Sequence, residues 1–180
     1  MTDKHLIKNY LAGDDRAFEQ LYSRYRKQVY SYLNKMLPGQ SAVVDDIYQK
    51  TWIKVVDNLR KYKDENRFIA YILRIARNQA IDHLRRSKWE VPVEPEQVDR
   101  EESGERPSAE LENREVMELI EQAVARLPDD QRDVFLMRRQ AIPFKEIARI
   151  QQVTINTVLG RMRYAMDNLR GQLKRLGVEP

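Results

Sequence analysis

Arg67, Tyr71, Arg74, Arg77, Asn78 and Arg85 all fall in the stretch RFIAYILRIARNQAIDHLRR, residues 67–86. If that stretch is a helix, each residue advances the side chain by about 100°. Arg74, Asn78, Arg85 and Tyr71 then lie within about 40° of Arg67, and Arg77 lies about 80° to one side. One stripe therefore carries guanidinium groups, an aromatic ring and an amide. Arginine neutralises phosphate, a ring stacks on an unpaired base, and an amide hydrogen-bonds a base edge. The combination suits single-stranded nucleic acid better than a closed duplex. The plainer reading is an amphipathic helix with a solvated arginine face, and the pattern alone leaves both open.

A second set lies near the C-terminus: Asn156, Thr157, Leu159, Gly160, Arg161, Arg163 and Tyr164. A short helix, a tight connection and then a longer basic helix form a helix-turn-helix pattern, whose second helix presents its N-terminal residues to the major groove. Arg163 suits a guanine or a phosphate there, and Asn156 an adenine or a phosphate. A third set, Asp45, Asp46, Gln49, Lys50 and Trp52, occupies two turns of another helical stretch. A polar face bearing Trp suits protein docking, since Trp is enriched at binding hot spots; equally, Trp52 can complete a small core.

Catalytic constellations are poor. Asp45-Asp46 and Asp129-Asp130 are sequence neighbours, which point about 100° apart on a helix and do not form an acid–base pair. Ser41 and Ser87 have no evident histidine partner, and His83 beside Asp82 reads as a solvated neighbour. The six glycines are scattered and form no phosphate loop. With no cysteine, and with His5 and His83 far apart, neither a thiolate nor a histidine metal site is expected. No cofactor is expected.

The elements that must position these residues read as helices. Phe18, Leu21, Tyr22, Tyr25, Val29, Tyr32, Leu33 and Met36 recur at helical spacing and predict one long helix over 15–37, stopped by Pro38-Gly39. A short helix over 3–12 precedes it. Ser41 is placed to cap a helix over 42–60, with Val44, Ile47, Tyr48, Thr51, Val55 and Leu59 inward. The polar loop 61–66 and a helix over 67–86 follow. Further on, Val116 to Leu127 predict a helix ended by Pro128, and Asp129 and Asp130 open the next, to about 140. Pro143 opens the short FKEIARI helix, and Thr154 caps a last helix over 155–173. No segment alternates with a period of two, so no sheet is expected.

Charge divides the chain. Residues 1–86 carry 17 Lys and Arg against 10 Asp and Glu, residues 87–112 carry 3 against 9, and residues 113–180 carry 12 against 9. Two basic blocks flank an acidic connector with Pro92, Pro95 and Pro107, too poor in apolar residues to offset its ordering entropy. The expected architecture is all-α: two small helical domains, 1–86 and 113–180, joined by a flexible acidic linker over 87–112, the second with a helix-turn-helix. No apolar run approaches the ~18 residues of a membrane span. The N-terminus lacks an apolar signal stretch, so a cytoplasmic protein is expected, without membrane insertion.

The segments AFEQLYSRYRKQVYSYL (17–33), DDIYQKTWIKV (45–55), FIAYILRIARNQAIDHLRR (68–86), LPDDQRDVFLMRR (127–139), KEIA (145–148) and TVLGRMRYA (157–165) resemble extracytoplasmic-function (ECF) sigma factors of bacterial RNA polymerase. The resemblance covers nearly the whole chain outside the connector, in order. It implies an alternative sigma factor that is not an enzyme, directs RNA polymerase to specific promoters and assists their opening. The first domain would be region two, with Asp45, Asp46, Gln49 and Trp52 docking on the β′ clamp helices. Lys61, Lys63, Arg67, Tyr71, Arg74, Arg77, Asn78 and Arg85 would meet the single-stranded minus-ten element. The second would be region four, with Asn156, Thr157, Gly160, Arg161, Arg163 and Tyr164 on the minus-thirty-five element and a neighbouring surface on the β flap. The resemblance also admits an anti-sigma protein as a partner.

Four positions depart from the family's habit. Tyr71 stands where Trp is usual, Pro143 where Ser or Thr is usual, Gln152 where Gly is usual, and Leu159-Gly160 where a basic residue and Ser are usual. The last pair predicts a weak or unusual minus-thirty-five preference, leaning on Arg161 and Arg163 for phosphates. Two other classes stand beside this reading. A stand-alone helix-turn-helix regulator leaves the stripe on 67–86 unexplained. An enzyme acting on nucleic acid has no candidate acid–base pair or metal site.

Overall fold

The computed structural model describes residues 1–63, 67–90 and 109–177. Among them are eight α-helices and one 3₁₀ turn, and no strand. The first unit comprises α1 (Asp3–Leu11), α2 (Asp15–Met36), α3 (Ser41–Asn58), the turn Leu59–Lys61 and α4 (Phe68–Glu90). The second comprises α5 (Ala109–Ala125), α6 (Asp129–Arg139), α7 (Phe144–Gln151) and α8 (Ile155–Arg175).

Helical spacing explains the first unit's core. Leu21, Val29, Leu33 and Met36 of α2, Val44, Ile47 and Val55 of α3, and Phe68, Ile72, Leu73, Ala76 and Ala80 of α4 are all buried. Asp14 caps α2 by accepting from the Arg16 N–H at 3.1 Å, satisfying one of the orphan donors of a helix start. Ser41 does not cap α3: it is the first helical residue, and Gln40 stands at the cap position without a side-chain bond. Buried Thr51 ties α3 to α4. Its hydroxyl donates to the Ile47 carbonyl at 2.7 Å and accepts from Gln79 Nε2 at 2.9 Å.

α4 runs to Glu90, past the boundary expected at 86, and α5 starts at Ala109, before the boundary expected at 113. Both ends of the expected acidic linker are therefore helical, and its centre, 91–108, lies outside the described residues, as do 64–66 of the expected loop. In the second unit, Val134, Leu136 and Met137 of α6, Ile147 and Ile150 of α7, and Val158, Ala165 and Leu169 of α8 are buried. Thr154 caps α8 as expected, accepting from the Thr157 N–H at 3.1 Å. Gln152, in the turn between α7 and α8, adopts the left-handed region at φ 56°. Glycine reaches that region without the steric cost a side chain brings.

The two units are not separate in space. α6 and α5 lie across α2, and α7 lies against α4. Most of the bonds joining them involve charged groups. Arg132 on α6 donates to the Met36 carbonyl at 2.9 Å, Lys35 meets Glu121 at 2.6 Å, and Lys88 meets Asp129 at 2.7 Å.

Candidate nucleic-acid interface

α4 positions the stripe because its opposite face, Phe68, Ile72, Leu73, Ala76 and Ala80, is held in the core. Arg67, Arg74, Asn78 and Arg85 are exposed and Tyr71 is half-buried. Tyr71 sits in an aromatic group, with ring centroids 4.7 Å from Tyr62 and 5.9 Å from Phe68, stacked on the latter. Arg74 lies 5.7 Å from the Tyr71 centroid, within cation–π range. Burial raises the Tyr71 phenol above its ordinary value, opposed by the Arg74 charge. Its hydroxyl is buried without a hydrogen-bond partner.

Arg67, Tyr71 and Arg74 line an open groove of about 810 Å³. Lys61, Lys63, Arg67, Tyr71 and Arg74, all expected from the sequence, meet there. So do residues that sequence reasoning missed: Lys54 and Asn58 at the end of α3, and Lys145 and Arg149 from α7. Among the described residues, Glu146 is the one acid on its wall. Lys54 was legible as a cation about two helical turns before the loop, but Lys145 and Arg149 reach the groove only because α7 packs on α4.

Asn78 and Arg85 line a smaller neighbouring pocket of about 270 Å³, together with Ile150, Gln151 and Gln152 of the second unit. Arg77 also lines it, but its guanidinium is engaged: Nε lies 2.6 Å from Asp133 Oδ2, with the Arg77 side chain 15% and the Asp133 side chain 0% exposed. Asp133, on α6, is a residue that sequence reasoning did not single out. Its Oδ1 accepts from the Tyr32 hydroxyl at 2.7 Å, and its Oδ2 also accepts from Gln151 Nε2 at 2.7 Å. Burial, reinforced by the Asp133 charge, holds the Tyr32 phenol well above its ordinary value, so Tyr32 remains a donor.

On α8, Asn156, Thr157, Arg163 and Tyr164 are exposed. Arg163 lies 5.3 Å from the Tyr164 ring centroid. Arg161 differs: it donates to Gln151 Oε1 at 2.7 Å and pairs with Asp130 at 3.1 Å, so it is held within its own unit. Leu159 is 44% exposed. On α3, Asp45 accepts from the Tyr30 hydroxyl at 2.9 Å, Asp46 pairs with Lys50 at 2.6 Å, and Gln49 is exposed. Trp52 is not on that polar face. It is 7% exposed, edge-on to Tyr22 at 4.9 Å and to Phe18 at 6.1 Å, so the core reading of this residue holds. Phe18 and Tyr22 of α2 and Tyr48 of α3 supply aromatic surface there, and burying a large ring is worth more than leaving it in water.

Residues 21–90 match the family described as Sigma-70 region 2, and residues 117–167 match Sigma-70, region 4. The chain is 27% identical over 186 residues to the ECF RNA polymerase sigma factor SigW of Bacillus subtilis, covering 98% of this chain and 99% of that protein. It is 28% identical over 181 residues to the ECF RNA polymerase sigma-E factor of Salmonella typhimurium, covering 93% and 94%. Among solved structures it is similar to CnrH in complex with the cytosolic domain of CnrY, with TM-score 0.67, 22% identity and 96% and 97% of the two chains covered. It is likewise similar to the sigma factor RpoE in complex with the anti-sigma factor NepR from Bartonella quintana, with TM-score 0.69, 18% identity and 87% and 96% covered.

Proposed function

The chain belongs to the sigma-70 family as an ECF sigma factor, directing RNA polymerase in transcription initiation, and from that premise we propose how its residues divide the work. Residues 1–86 act as the region-two domain and 113–180 as the region-four domain. The exposed face of α3 bearing Asp45, Asp46 and Gln49 docks on the β′ clamp helices, with Trp52 fixing that face from beneath. The α4 groove receives the non-template strand of the minus-ten element. Lys61, Lys63, Arg67, Arg74 and Arg85 neutralise phosphates. Tyr71 stacks on a base, and Asn78 hydrogen-bonds a base edge.

The energetics are workable. Unstacking a base requires a few kcal/mol. Stacking on a ring returns about 1–3 kcal/mol per base, and phosphate contacts release counterions in addition. On the minus-thirty-five element, Asn156, Thr157, Arg163 and Tyr164 face the groove, Gly160 lets the helix approach closely, and Arg161 joins once freed from Asp130. The chemistry of RNA synthesis belongs to the polymerase. An anti-sigma protein is a further partner, a reading supported by the complex of the structurally similar RpoE.

The observation that carries this reading is the convergence of Tyr71, Arg74, Arg67, Lys61 and Lys63 on one open groove beside a polar α3 face. The test is run-off transcription with core polymerase, alongside a core-binding assay. Replacing Tyr71 and Asn78 together by Ala should lower open-complex formation by about tenfold or more while leaving core binding near normal. Loss of core binding instead would move this face to the polymerase interface and sink the strand assignment.

A further inference from the structure

Aliphatic side chains stand in water where α8 begins. Ile155 is 45% and Leu159 44% exposed. They lie one turn apart, and Arg163 stands one turn further on. At about 100° per residue the three form a single ridge, each about 40° from the last, and Asn156, Gly160 and Tyr164 form the ridge beside it. Gly160 leaves a notch in that second ridge, since a Cβ there would meet nothing within 4 Å, and one flank of Leu159 is open. Single exposed apolar residues are ordinary on a protein surface. A pair on one ridge, at the end of the helix that a helix-turn-helix presents to base edges, is placed to read them.

We propose that Leu159, supported by Ile155, reads thymine in the minus-thirty-five element by packing on its C5-methyl group in the major groove. Thymine alone among the four bases presents a methyl group there. Over cytosine or adenine the same side chain would cover an amino group, and over guanine a carbonyl, and would give neither a partner. A polar group desolvated in that way is a net loss, so an aliphatic contact selects thymine against all three. The surroundings fit DNA rather than an apolar protein surface. Residues 155–166 contain no Asp or Glu. The start of α8 is also the positive end of its helix dipole. Arg163 continues the ridge toward a phosphate or a guanine, its guanidinium 5.3 Å from the Tyr164 ring centroid. This inference rests on the reading of α8 as the helix that faces the duplex, and the experiment separates the two.

Holoenzyme reconstituted from the full chain and core polymerase selects binders from a library of duplexes randomised across the promoter region. Each thymine of the selected minus-thirty-five element is then replaced in turn by deoxyuridine, which keeps every hydrogen-bonding group and removes only the methyl. At one thymine or more this should weaken binding about fourfold, the worth of one buried methyl. Leu159→Ala should weaken the thymine duplex to a similar degree and erase the difference between thymine and deoxyuridine at that position. Leu159→Arg should move the preference there from thymine to guanine. Leu159 is outside the core, so neither change removes buried packing. No deoxyuridine penalty at any thymine, or a penalty of equal size in Leu159→Ala, overturns the methyl readout; if Arg163→Ala still weakens binding, α8 keeps its place on the duplex. A library that yields no preferred upstream sequence, with binding unchanged in Arg163→Ala, overturns the duplex reading of α8 and the methyl readout with it. Weaker binding of Leu159→Ala to core polymerase without DNA, and no deoxyuridine penalty, assigns the exposed pair to a protein surface and overturns the proposal likewise.

Discussion

Tyr71 shows how one side chain can serve two demands. Its ring is fixed between Phe68, Tyr62 and Arg74, which suits a stacking platform, while its hydroxyl is buried with no partner. An unsatisfied buried hydroxyl forfeits its hydration for nothing in return. Tyr71→Phe should therefore leave the urea midpoint unchanged or raise it slightly, and should preserve open-complex formation. A drop in either would show that the hydroxyl bonds something in the working protein. The sequence made the stripe legible because helical angle alone groups Arg67, Tyr71, Arg74, Asn78 and Arg85. It could not show that Arg77 turns to a carboxylate 56 residues away. Nor could spacing decide whether Trp52 faced a partner or the core, since residues at the border of a polar and an apolar face satisfy both patterns.

Helix limits were legible where the local chemistry is strong. Thr154 caps α8, and Pro128 and Pro143 stand just before α6 and α7. They were less legible where a flanking residue competes, as Gln40 does with Ser41. They were also missed where a helix continues beyond its last residue of apolar period, as α4 does over 87–90. Gly160 is the element-scale oddity. It lies inside α8, and a Cβ added there would meet nothing within 4 Å. Glycine in a helix interior is about 1 kcal/mol less favourable than Ala. Gly160→Ala should then stabilise the protein by roughly 0.5–1 kcal/mol, read from chemical denaturation. It should also weaken duplex minus-thirty-five binding if the missing Cβ admits the DNA backbone. Stabilisation without any change in binding would assign this glycine no part in recognition.

Among the described residues, five phenols are held above the ordinary value of 10.0: Tyr25, Tyr32, Tyr48 and Tyr71 chiefly by burial, and Tyr30 chiefly by its hydrogen bond to Asp45. Below about 10 these groups are protonated in both states and contribute nothing to the pH dependence. Above it the unfolded chain ionises first, so the folded state binds more protons and stability falls as pH rises. Denaturant midpoints should decline as pH passes from about 9 to about 11; a flat or rising midpoint would contradict the raised values of these phenols. The docking of the two units was the least legible feature of all. It depends on Asp133, Tyr32, Arg77 and Gln151 meeting from four helices, and no periodicity within one segment encodes that.

Gln151 gives this arrangement a direction. Its amide nitrogen donates to Asp133 while its amide oxygen accepts from Arg161. A line of hydrogen bonds thus runs from α8 through Gln151 and Asp133 to Arg77 on α4, joining the helix assigned to one promoter element to the helix assigned to the other. A glutamate at 151 would offer no donor to Asp133, and a leucine would break both links. If drawing Arg161 onto a phosphate loosens Asp133, then releasing Arg77 must ease the departure of Arg161 by the same free energy. The two halves of a promoter would then be read as one cooperative event rather than as a sum of independent contacts.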